Sequence, residues 1–232
     1  MLKVVRYIIS ILLITQSYSA LASDTCLIIA NGYFDKKLVV KLAKKNPTIV
    51  ALDGAANNLV RVNVTPDYIL GDFDSISEAT ENYFRAKNVP FIPTPEQNHT
   101  DLEKGIFFCK QKGTTKILIT CALGGDRTDH LFGNLSLLRR HHDKTQSIKV
   151  QLLTANESIE FLNNETINFN GVPGKNLGLF GFPKAVASSK GLVWELDNYP
   201  LELGYQESSC NILQNSKVQI TVKGEALMIR PL

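Results

Sequence analysis

From Asp24 onward, short runs of β-branched and aliphatic residues alternate with longer amphipathic stretches. That alternation is the pattern of β-α-β units built around a parallel sheet. It predicts strands at 26–30, 48–52, 68–70, 89–92, 116–122 and 148–153, and helices at 36–45, 55–62, 77–87, 100–112 and 128–142. The fourth helix is the best marked: Leu102, Ile106 and Cys109 recur at helical spacing, and Thr100 with Glu103 fits a capping box. Ser75 with Glu78 fits the same box for the third. After about Asn156 helical periodicity ends, Gly and Pro become frequent, and alternating runs such as Lys217–Val222 read as an all-β part. The expected architecture is an α/β domain with a mostly parallel, Rossmann-like sheet over 24–155, followed by a sandwich- or barrel-like β domain over 156–232.

Residues 1–23 stand apart. Lys3 and Arg6 precede an apolar stretch from Tyr7 to Ile14, and Ala20-Leu21-Ala22 resembles a cleavage site, so the segment has the form of a secretory signal. It is shorter than the about 20 apolar residues that span a bilayer. Two other readings are a start codon further downstream and a short anchor; the segment is set outside the fold.

Composition narrows the class. Apolar residues make up 44% and charged residues 20%, which fits a globular protein and excludes wholesale disorder. A net charge of +3, with no basic cluster interleaved with aromatics, gives no case for nucleic acid. The basic run from Arg139 to Lys144 falls where the fifth helix should end, a position the helix dipole favours for cations. The four cysteines lack metal-ligand spacing; Cys26, Cys109 and Cys121 lie in apolar runs and read as small, reduced hydrophobes. Their even number leaves disulfides open in an oxidising compartment.

The unusual polar segments each follow a predicted strand: "DGAAN" (Asp53–Asn57), "GDFDS" (Gly71–Ser75), "EQNHTD" (Glu96–Asp101) and "GGDRTDH" (Gly124–His130). In an open parallel sheet all such loops emerge at one edge, where ligands bind. Singly each has an ordinary explanation: Asp72 or Asp74 as an N-cap, Asp101 as a first-turn acid, Asp53-Gly54 or Gly124-Gly125 as a turn. Together, Asp72, Asp74 and Asp101 at one edge would repel one another unless a cation sat among them, and an all-oxygen set suits Mg²⁺ with a phosphate-bearing substrate. Gly124 and Gly125 would let backbone N–H groups approach phosphate oxygens, and Arg127 could clamp them. No Walker A loop, G-x-G-x-x-G or G-x-S-x-G occurs, and His99 and His130 lack metal-ligand spacing.

In order, "DGAANNL", "PDYILGDFDSI", "EQNHTDLEKGI" and "GGDRTDHLFGNL", followed by "SKGLVWEL" and "LGYQESSCN", resemble the successive motifs of the thiamine pyrophosphokinases. The resemblance runs from about Cys26 to the carboxyl end. It implies transfer of a pyrophosphoryl group from ATP to the hydroxyl of thiamine, giving thiamine diphosphate and AMP. It also implies a homodimer whose site lies between one subunit's α/β domain and its partner's β domain. Carried over by motif, Asp72, Asp74 and Asp101 would be the Mg²⁺ and phosphate carboxylates. Asp53, Gly54, Asn57, Gly124, Gly125, Arg127 and Asp129 would line the nucleotide and phosphate pocket, and Gln97 would hydrogen-bond thiamine. Trp194, the only tryptophan, would stack on its cationic ring, with Asn211 in the same β-domain site. The chain departs from the family's pattern at Ala55, where a second Gly is usual, at Asn98, often acidic, and at Cys210, usually Ser. Two other readings are a pyrophosphokinase for another hydroxymethyl heterocycle such as a pterin, and a thiamine- or nucleotide-binding protein without catalysis. The expected location is the cytoplasm, where ATP is plentiful.

Overall fold

The computed structural model describes residues 23–125, 127–142 and 148–232, so the signal-like segment up to residue 22, and Asp143 and Lys144 of the basic run, lie outside the described residues. The predicted elements form, mostly trimmed by one to three residues. Strands β1 (Thr25–Ile29), β2 (Thr48–Leu52), β3 (Tyr68–Gly71), β4 (Phe91–Pro93), β5 (Lys116–Thr120) and β6 (Lys149–Leu153) alternate with helices α1 (Lys36–Ala43), α2 (Ala55–Arg61), α3 (Glu78–Ala86), α4 (Asp101–Gln111) and α5 (Thr128–Arg140). The β-rich part holds β7 (Glu157–Asn170), β8 (Asn176–Lys190), β9 (Tyr199–Glu202), β10 (Ser208–Ile212) and β11 (Lys217–Pro231).

Strands β1 to β6 pair in parallel in the order β4-β3-β2-β1-β5-β6. All but the edge strand β4 are largely buried on both faces, which is why they read as unbroken apolar runs. One face carries α1, α2 and α3 on a core that includes Leu27, Ile29, Leu59 and Phe84. The other carries α4 and α5 on Ile28, Val50, Ile106 and Leu138. The order reverses beside β1, since β2 lies on one side of it and β5 on the other. At such a switch point diverging loops open a crevice.

The β-rich part grows out of the same sheet. Ser158–Glu160 of β7 pair antiparallel with β6, and the sheet runs on through β11, β8 and β10. In β7 the residues Ser158 to Leu162 are buried and the rest alternate. The strand thus passes from a sheet covered on both faces to one with a single core face. That second core gathers Leu179, Leu192, Ile220 and Met228.

Three local expectations are corrected. Cys26 on β1 and Cys109 on α4 are not separate thiols but form a disulfide, with Cα atoms 6.2 Å apart; Cys121 remains a buried thiol and Cys210 an exposed one. The N-cap of α3 is Ser77, which accepts from the Thr80 N–H, because Ser75 is already engaged with Asp53 and Asp74. At α4 the box is half made: Thr100 caps the Glu103 N–H, but the Glu103 carboxylate turns away to Arg140 and His141.

Candidate active site

All the strand-to-helix loops of the parallel sheet open at one edge, and five of them line a cleft of about 390 Å³. The "GDFDS" loop shows how two carboxylates come to stand there. Phe73 adopts a φ of 67° and packs its ring edge-on against Phe91, centroids 5.5 Å apart. The phenylalanine anchors the loop in the core while its neighbours Asp72 and Asp74 remain exposed and face the cleft. Gly71 is required for a different reason: a Cβ there would lie 2.8 Å from the Cβ of Asp53. The loop therefore closes down on Asp53.

Asp53 is 4% exposed. One of its oxygens accepts the Ser75 N–H at 3.3 Å; the other, Oδ1, is buried without a hydrogen-bond partner. Burial pushes its carboxyl above the usual range, and the charges of Asp74 and Asp101 push the same way, against the lowering by Ser75. Ligand oxygens of Asp53, Asp72 and Asp74 lie within 4.8 Å of one another. A buried lone oxygen, hard ligands only, and three like charges this close fit a hard divalent cation such as Mg²⁺. Asp101, at the start of α4, lines the same cleft, with Lys104 Nζ 3.4 Å from its Oδ1. It stands outside the close trio, which takes in Asp53 instead.

Gly124, Gly125 and Arg127 form another wall of the cleft. Gly124 and Gly125 have φ of 77° and 100°, a backbone that glycine adopts without strain. They lead into α5, whose N-cap is Arg127. The Arg127 guanidinium is held by both carboxylate oxygens of Asp129, at 2.9 and 2.6 Å, and that hydrogen bonding keeps the exposed Asp129 carboxyl well below the usual range. Asp129 thus aims the arginine rather than lining the cleft. Asn57 is structural too, donating to the Ser75 carbonyl and accepting from the Ser77 N–H. Gly54 packs against Asn31 and Ser75, outside the lining.

Gln97 is exposed and donates to the Pro95 carbonyl at 3.4 Å. Trp194 and Asn211 lie in the β-rich part, away from the lining of this cleft, with Trp194 59% exposed. Asn211 is 3% exposed, and both ends of its amide are committed to the chain around it. The reading of the four motif loops missed Asn31, Gly32 and Asn134, which also line the cleft. Asn31 and Gly32 follow β1, the central strand, so the rule that gathers the other loops at this edge would have found them.

Comparison with known proteins agrees in both halves of the chain. The family description "Thiamin pyrophosphokinase, catalytic domain" matches residues 39–152, and "Thiamin pyrophosphokinase, vitamin B1 binding domain" matches residues 163–227. A thiamine pyrophosphokinase 1 of Oryza sativa subsp. japonica is 32% identical over 70% of this chain and 64% of its own length. One from Caenorhabditis elegans is 30% identical over 73% of this chain and 72% of its own. The chain thus spans a little under two thirds of the rice relative. The fold is shared with a Bacillus subtilis thiamine pyrophosphokinase (TM-score 0.79, 23% identity, 89% of this chain and 98% of that one). A Candida albicans thiamin pyrophosphokinase shares it as well (TM-score 0.80, 22% identity, 90% of this chain and 88% of that one). With both of its domains matched in order, and a relative 30% identical matched over 72% of its length, the chain belongs to the thiamine pyrophosphokinase family.

Proposed function

We propose that the protein transfers the terminal pyrophosphoryl group of ATP to the hydroxyl of thiamine, releasing AMP. The observation that carries the reading is the acidic trio sharing one cleft with Gly124, Gly125 and Arg127. Asp53, Asp72 and Asp74 would hold Mg²⁺, with Asp101 close by; the ion supplies charge neutralisation to the triphosphate. Gly124, Gly125, the start of α5 and Arg127 hold phosphate oxygens and keep the chain in line for displacement. The thiamine oxygen forms a bond to the β-phosphorus as the bond from that phosphorus to the α–β bridging oxygen breaks, and AMP leaves with that electron pair. The hydroxyl proton passes to a carboxylate, Asp72 or Asp101.

Thiamine is a flat cation that needs an aromatic platform. Trp194 is exposed and does not line its own chain's cleft, which supports a homodimer in which each subunit lends its indole to the other. Gln97 would then meet thiamine from the loop that leads into α4. The cytoplasm is the compartment that supplies ATP, and we place the enzyme there. Among the described residues no helix is long and apolar enough to cross a membrane. The Cys26–Cys109 bond pulls the other way, toward an oxidising compartment. Thiol counting and the amino-terminal mass of the native protein decide between them.

The test of activity is nucleotide release by the full chain given ATP, Mg²⁺ and thiamine. Thiamine-dependent AMP without ADP, lost in Asp72→Asn, is expected. ADP as product, or AMP formed equally without thiamine, would overturn the assignment.

A further inference from the structure

We infer that Glu195, together with Asn211, is a positioning residue that fixes the indole of Trp194. The inference rests on the reading of Trp194 as the thiamine platform. Trp194 sits in a turn, Gly191 to Leu196, that belongs to no strand beyond one isolated bridge at Leu192. A turn of that kind would normally leave an exposed aromatic side chain loosely held. Here most of the backbone groups, including both of Trp194, are hydrogen-bonded.

The Glu195 carboxylate folds back over the turn. Its Oε1 accepts the N–H of Gly191 at 2.5 Å and of Leu192 at 3.2 Å, and its Oε2 accepts the Ser189 hydroxyl. The Ser189 hydroxyl oxygen in turn accepts the Leu196 N–H at 2.8 Å. One anionic side chain thereby closes both ends of the turn, with charge-assisted bonds that are stronger than neutral ones. From the other side Asn211 holds Trp194 itself. Its Oδ1 accepts the Trp194 N–H at 3.3 Å, and its Nδ2 donates to the Trp194 carbonyl at 2.7 Å. The same amide also accepts from Ile212 and donates to Ser208, so its donors and acceptors are spent within the chain.

Asn211 points inward because β10 shifts register between Ser208 and Asn211 as it pairs with β8. Cys210 takes a φ of 61° at the irregularity; re-aiming a side chain is what such bulges do. With Leu192 fully buried and Leu196 at 6% exposure anchoring the flanks, the turn presents Val193 and Trp194 outward on a stiff mount. Stiffness matters because an aromatic platform that is already ordered loses less freedom when a flat ligand stacks on it.

Trp194 is the only tryptophan, so fluorescence excited at the red edge of the indole band, where the tyrosines do not absorb, reports on this residue alone. In the ligand-free protein, time-resolved anisotropy should show a restricted indole in the wild type and faster local motion in Glu195→Ala, with an intermediate value in Glu195→Gln, which keeps one acceptor. In steady-state assays Glu195→Ala should raise the KM for thiamine about tenfold, equivalent to about 1.4 kcal/mol, and leave kcat and the KM for ATP within about twofold. Glu195→Gln should recover part of the loss. If all three proteins fold with the same circular dichroism and show the same indole mobility, the positioning role is wrong, whatever thiamine does. If mobility rises as expected but thiamine neither quenches Trp194 in the wild type nor changes its KM in the variants, the mount is real and the platform reading fails.

Discussion

Asp53→Asn is the most informative single change at the acidic trio. Asp53 Oδ1 is a buried acceptor with no partner, and such a group costs about 1–3 kcal/mol. The replacement keeps the shape and the acceptor for the Ser75 N–H. Asparagine also tolerates the φ of 41° found at this residue. Its amide N–H₂ would replace the lone oxygen and take one negative charge out of a trio whose ligand oxygens lie within 4.8 Å of one another, so that repulsion is relieved. The metal-free variant should therefore be more stable than the wild type by about 1 kcal/mol, a rise of about 2–4 °C in melting temperature for a chain of this size. The sign with Mg²⁺ is opposite. A ligand bound only by the folded state stabilises by about 2.7 kcal/mol at 100 times its Kd, and the variant should lose most of that increment along with its activity. The pH dependence adds a third arm. Because burial holds the Asp53 carboxyl above its usual range, the folded state carries more protons than the unfolded state between the unfolded and folded pKa values. Stability contributed by this site thus falls as pH rises through that window. The gap between variant and wild type should be small below about pH 4, the usual aspartate range, and full at neutral pH. Melting curves across pH, with and without MgCl₂, read all three. A variant that melts below the wild type without metal, or that gains as much from Mg²⁺, would refute the argument.

Other changes test other links. Gly71→Ala forces a Cβ to 2.8 Å from that of Asp53 and should cost about 1–3 kcal/mol with a fall in activity, read by melting and by AMP release. Glu103, 3% exposed, is raised by burial but brought below its usual range by the hydrogen bonds and charges of Arg140 and His141. Its contribution is therefore present above the usual carboxylate range and lost as pH falls through the folded pKa. Glu103→Gln should lower stability by about 1–3 kcal/mol at neutral pH, since Arg140 is exposed enough to resolvate, and should flatten the acid limb of the stability profile. Burial likewise holds His141 below its usual range, reinforced by Lys110, so its share of stability is lost as pH falls below about 6.5; His141→Gln should remove that part of the slope. Reduction of Cys26–Cys109 releases a loop of sequence separation 83, worth up to about 4.5 kcal/mol by chain entropy, and a melt with and without reductant should show a shift of several degrees.

What the sequence disclosed was local order, and what it withheld was contact between distant segments. Leu102, Ile106 and Cys109 mark a helix face by spacing alone, and all three are buried on α4. The same spacing says nothing of what Cys109 meets, and its partner Cys26 arrives from β1, 83 residues away. Glu103 reads as the second half of a capping box because its neighbours in sequence fit one. Arg140 and His141, at the far end of α5, outbid the cap for its carboxylate, a competition settled by tertiary packing. The edge rule for parallel sheets was enough to bring four polar loops together, yet not to say which carboxylates would touch. Asp53 joins Asp72 and Asp74 because Gly71 lets the third loop lie directly on it and because Phe73, with its ring held against Phe91, swings both acids into the cleft. The short motif at Gly71–Ser75 is therefore one device: the glycine sets the approach, the phenylalanine the orientation, and the serine N–H the position of the buried aspartate. Changing Phe73 to a smaller residue removes the anchor without touching an acid, so a loss of Mg²⁺-dependent stabilisation in Phe73→Ala would trace the site's geometry to packing rather than to charge.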